Sequence, residues 1–68
     1  MSDYETLIER LQVIEEDLSD LAYARLRDLA SDPDGEGAAR AKEEERRLLS
    51  ARRSIAKSID SLRTLTER

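Results

Sequence analysis

With 68 residues, twelve basic and sixteen acidic side chains and a net charge of −4, the chain has room for one small domain. It contains no Cys, His, Trp or Phe, which removes disulfides, thiolate and imidazole chemistry, the familiar transition-metal ligands and large aromatic anchors. Although 41% of the residues are charged, the apolar ones recur with helical regularity, which points to a folded all-α chain rather than a disordered tail.

The opening Met1-Ser2-Asp3-Tyr4-Glu5 lacks the basic start and apolar core of a signal peptide, and no apolar run reaches membrane-spanning length. A cytoplasmic location without membrane contact is therefore expected. Ser2-Asp3-Tyr4-Glu5 has the pattern of a capping box, in which the Ser2 hydroxyl accepts from the Glu5 amide and the Glu5 carboxylate returns to the Ser2 amide. It starts a first helix at about residues 3–31. Tyr4, Leu7, Ile8, Leu11, Ile14, Leu18, Leu21, Ala22, Leu26 and Leu29 follow steps of three and four and form a stripe roughly 140° wide at about 100° per residue. Such a stripe is broader than a two-stranded seam requires, so part of it is expected to be available for a second contact.

Asp32-Pro33-Asp34-Gly35-Glu36-Gly37 breaks the pattern. Pro33 disfavours helix at Asp32, and the glycines permit backbone angles that other residues resist, which predicts a turn over residues 32–37. A second helix follows over about residues 38–66, with a stripe of Ala41, Leu48, Ala51, Ile55, Ile59, Leu62 and Leu65 and with Leu49 and Ala56 on one shoulder.

Folding back about the turn gives one domain over residues 1–68, an antiparallel two-helix hairpin of coiled-coil type. Facing residue numbers then sum to nearly 70, setting Leu11 beside Ile59, Ile14 beside Ile55 or Ala56, and Leu21 beside Leu48 or Leu49. The same register sets Arg25 near Glu44 or Glu45, and Arg52 near Asp17 or Leu18. Two cross-helix ion pairs that penalise slipped registers are expected.

A lone hairpin buries only one side of each helix, so self-association is expected, most simply as a homodimer forming a four-helix bundle. The partner-binding surface is read as Ile8, Tyr23, Leu26, Leu49 and Ala56, which lie on or beyond the shoulders of the stripes. The expected function is a non-enzymatic protein–protein interaction and oligomerisation module without a cofactor.

Charge divides the two halves. Residues 1–37 carry three basic and eleven acidic side chains, a charge of −8, and residues 38–68 carry nine and five, a charge of +4. Arg40, Lys42, Arg46, Arg47, Arg52, Arg53, Lys57 and Arg63 could form a basic stripe for nucleic acid. The acidic balance of the whole chain and the lack of an aromatic on the basic helix favour attraction between halves instead.

The turn carries a second reading. Asp32, Asp34, Glu36 and Glu43 occupy the first, third, fifth and twelfth places of an EF-hand calcium loop, with Gly37 at the sixth. Pro33 at the second place and Arg40 at the ninth depart from that pattern. A calcium-responsive module is thus the alternative expectation. An antiparallel hairpin with an acidic tip also resembles the coiled-coil domain of transcript-cleavage factors. That resemblance implies Asp32, Asp34 and Glu36 as tip carboxylates presented to the catalytic magnesium of RNA polymerase, though the chain lacks those factors' globular second domain.

Overall fold

The computed structural model describes residues 2–67. Helix α1 spans Asp3–Ser31 and helix α2 spans Ala38–Thr66. Ser2 caps α1: its backbone is extended and its Oγ accepts from the Glu5 amide at 3.2 Å, satisfying one of the donors a helix start leaves free. Asp3 and Glu5 in the first turn complement the positive end of the helix dipole. The hydroxyls of Ser19, Ser31, Ser54, Ser58 and Thr64 each donate to the carbonyl four residues earlier, which is how these otherwise weak helix formers are accommodated.

At the end of α1 the Asp32 amide donates to the Asp28 carbonyl. The chain then reverses through two tight turns, Gly35 N to Asp32 O and Ala38 N to Gly35 O, both 3.1 Å. Among the described residues none has a positive φ, glycines included. Gly35 is needed for room instead: the Asp32 carboxylate occupies the place a Cβ at Gly35 would take. Helix α2 starts at Gly37 without a side-chain cap and ends where the Glu67 amide donates to the Arg63 carbonyl.

The helices pack antiparallel along their length into a rod of 52 × 15 × 11 Å. These are the extents of the Cα trace, and with two helices side by side the hairpin is one layer thick. Its radius of gyration is 15.6 Å, against about 11 Å for a compact domain of this length. The core is correspondingly small: among the described residues the buried apolar side chains are Ile8 and Ala22 of α1 and Ala41 and Ile59 of α2. Alanine at two of these positions lets the backbones approach closely but contributes little apolar area.

Around that core the half-buried residues of α1 trace a narrow seam. Ile8, Leu11, Glu15, Leu18, Ala22, Arg25 and Leu29 alternate steps of three and four, the spacing of a two-stranded helical pair. On α2 the corresponding seam runs through Ala38, Ala41, Glu45, Leu48, Ile55, Ile59, Leu62 and Thr66.

Candidate functional site

The residues of interest are those the seam leaves out. Leu7, Ile14 and Leu21 each precede a seam residue by one position, and as a set they are turned by about 70° from the middle of the seam. They are 42%, 44% and 50% exposed. They form a ladder along one side of α1, and the exposed Tyr4 lies at the open end in line with the seam. On the matching side of α2 the exposed Ala51 and Leu65 lie beside the outer edge of the seam residues Leu48, Ile55 and Leu62. Leu21 and Leu48 line one groove, together with Arg25, Glu44 and Arg47, which places the ladder and that edge on the same face of the rod. The face is apolar from the Leu21–Leu48 level to the open end, where Tyr4 and Leu65 lie.

A charged layer closes this face toward the turn. Arg25 Nη1 reaches Glu44 Oε2 across the helices at 3.5 Å, and Arg25 Nε lies 3.4 Å from Asp28 Oδ2 on its own helix. Arg40 Nε donates to Glu44 Oε1 at 3.0 Å. The Arg40 hydrogen bond is the main cause that holds the Glu44 carboxyl below the usual carboxylate range; burial opposes it, and the weaker hydrogen bond from Arg25 adds to it. On the neighbouring residue, Arg46 and Arg47 donate to the two Glu43 oxygens at 2.7 Å each and lower that carboxyl in the same way.

The opposite flank is mainly polar. Gln12, Glu15, Ala56, Ile59, Asp60 and Arg63 line its groove, roughly 150° round α1 from Leu7 and Ile14. This is the shoulder on which the sequence placed the partner surface, and the structure redistributes those residues. Ile8 is buried between the helices at 8% exposure and so is not a surface for a partner, because the seam runs along the very edge of the stripe that holds it. Leu49 and Ala56 are half-buried beside the seam, whereas Leu26 and Tyr23 are exposed at 47% and 64%. The larger apolar surface is the Leu7, Ile14 and Leu21 edge, which the sequence had assigned to the hairpin core. The repeat of seven linking Leu7, Ile14 and Leu21 is the signal that marks it as a separate ladder.

Arg52 is placed differently from the expected pair with Asp17. Its Nη1 donates to the Ser19 hydroxyl at 3.1 Å, and Ser19 in turn donates to the Glu15 carbonyl. Asp17 is exposed on α1, and Glu45 is half-buried at the α2 seam; the cross-helix ion pair of Arg25 is with Glu44. The Ser19–Arg52 and Arg25–Glu44 links both join facing levels of the antiparallel pair.

Asp32, Asp34, Glu36 and Glu43 do not converge. Asp32 folds over Gly35, and Glu43 lies within α2 engaged by two arginines. Among the described residues no group of three or more acidic side chains is placed to hold a metal ion. The basic stripe of α2 is partly neutralised on its own helix, since Arg40, Arg46 and Arg47 are all committed to Glu43 or Glu44. Among the described residues, no helix is long and apolar enough to cross a membrane. No protein-family model matches the chain, and no curated protein or solved structure shows significant similarity to it.

Proposed function

We propose that this chain is a non-enzymatic helical-hairpin module that self-associates through its Leu7–Ile14–Leu21 face, forming a four-helix bundle from two copies. The observation that supports this reading is an exposed apolar ladder, Leu7, Ile14 and Leu21, set about 70° from the middle of the α1 seam and facing the same way as the open edge of the α2 seam, where Ala51 and Leu65 are exposed. In a four-helix bundle each helix buries two adjoining stripes, one against each neighbour.

The exposed area has the right size. The hairpin exposes 5421 Å² at a mass of 7.8 kDa. A compact monomer of that mass exposes about 4,400 Å². The excess of roughly 1,000 Å² per chain is comparable to the ~800 Å² that each partner buries in a standard interface. Two flat rods laid face to face would also turn a one-layer fold into a two-layer one around a shared core.

Sedimentation equilibrium of the intact chain over a wide concentration range tests this. A mass twice the 7.8 kDa of one chain is the expected result. A monomer at every concentration, including the highest, would overturn it.

A further inference from the structure

The second copy has two ways to lie on this face, and charge separates them. We infer that the partner stacks with its turn at the same end of the rod, so that the acidic α1 of each copy lies on the basic α2 of the other. This orientation rests on the self-association proposed above.

A symmetric pair using one face must be related by a two-fold axis lying in the plane between the two layers. If the axis runs along the rod, both turns lie at one end, and α1 faces the partner's α2. If the axis crosses the rod, the turns lie at opposite ends, and α1 faces the partner's α1. All neighbouring helices are antiparallel in both cases, so helix direction does not discriminate between them.

Two features of the chain do. The first is the division of charge between the helices, −5 over α1 (eight acidic and three basic side chains in residues 3–31) and +4 over α2 (eight basic and four acidic in residues 38–66). Helices packed at about 8–10 Å lie within or near one screening length, about 8 Å at physiological salt, so facing helices sense each other's charge. The axis along the rod opposes unlike helices, and the axis across it opposes two acidic ones.

The second is the Arg25–Glu44 layer. With the turns together, equal levels of the two rods meet. Leu21 and Leu48 then face the partner's Leu48 and the partner's Leu21. One level further, Arg25 faces the partner's Glu44 while holding its own Glu44 at 3.5 Å. Four residues form a ring of alternating charge that closes the apolar face. With the turns apart and the rods fully overlapped, Arg25 keeps its own Glu44 and Asp28 but lies against the partner's α1 near Ile14, and the alternating four-residue ring is not formed.

The chain has no cysteine, so a single spin label can be placed cleanly. Asp34→Cys and, separately, Glu67→Cys put labels at exposed positions at opposite ends of the rod. Dipolar distances in the dimer are expected to be short for both, about 20–30 Å including the label arms, which corresponds to one to two interhelical spacings. An Asp34 separation at or beyond the 52 Å rod length marks head-to-tail stacking and overturns the orientation while leaving self-association intact. A short Asp34 distance with widely separated Glu67 labels marks helices exchanged through the turn and overturns it equally. No dipolar coupling, with a monomeric mass, removes both the orientation and the reading beneath it.

Discussion

Replacing Ile14 and Leu21 together with alanine removes the centre of the open face without attacking the helices, because alanine is the strongest helix former. The two side chains are 44% and 50% exposed in the single hairpin. Fully burying such a side chain contributes about 2 kcal/mol, so covering the exposed half contributes about 1 kcal/mol each. In a symmetric dimer each substitution occurs twice, and the pair therefore weakens association by about 4 kcal/mol, or roughly a thousandfold in the dimer dissociation constant. The control is Tyr23→Ala with Leu26→Ala, which removes side chains of similar or greater exposure from elsewhere on α1. Sedimentation equilibrium on both variants should show a large loss for the first and little change for the second. Equal losses, or a loss confined to the Tyr23 and Leu26 variant, would refute the assignment of the face.

Ile59 is only 4% exposed, and Ile59→Ala should cost about 2–5 kcal/mol, read as a lower melting temperature by circular dichroism. A cost no larger than that of Ile14→Ala alone would mean that the seam is misplaced. Ser2→Ala, which removes the acceptor of the Glu5 amide, should destabilise by about 1 kcal/mol, and unchanged denaturant unfolding would show that this cap is not needed. Hydrogen bonds from arginines depress the carboxyls of both Glu43 and Glu44 relative to an ordinary value of 4.5. The unfolded chain therefore takes up protons first: their contribution is complete above the unfolded value and is lost as pH falls through the lower folded values. Melting temperature should decline below that ordinary value, and more shallowly in Glu43→Gln with Glu44→Gln; identical pH profiles would exclude these carboxyls as the cause.

The hairpin itself was legible in the residues. A capping serine, two long runs of apolar steps of three and four, and a Pro- and Gly-bearing break between them leave an all-α chain little choice but to reverse on itself. The register was legible for the same reason, since matching two stripes about a short turn fixes which levels meet. The role of Gly35 was less accessible, because a carboxylate packed over a glycine is a side-chain event that local backbone preferences do not encode. The pairing of Arg52 was misjudged for a related reason. Register places a level, but the rotation of each helix decides which of several neighbours at that level a long side chain meets, and here it meets Ser19.

The same rotation separates what the sequence alone determined from what only the tertiary structure decided. Periodicity established that α1 carries a stripe wider than one seam. It could not say which edge of the stripe would turn inward, because Ile8 with Ala22 and Leu7 with Leu21 are almost equally apolar. Packing resolved the choice: Ile8 and Ala22 of α1 are buried against α2 with Ala41 and Ile59, and Leu7, Ile14 and Leu21 are left exposed. The apolar pattern of a helix measures how much surface must be buried, and only the approach of a second helix determines which part of it is.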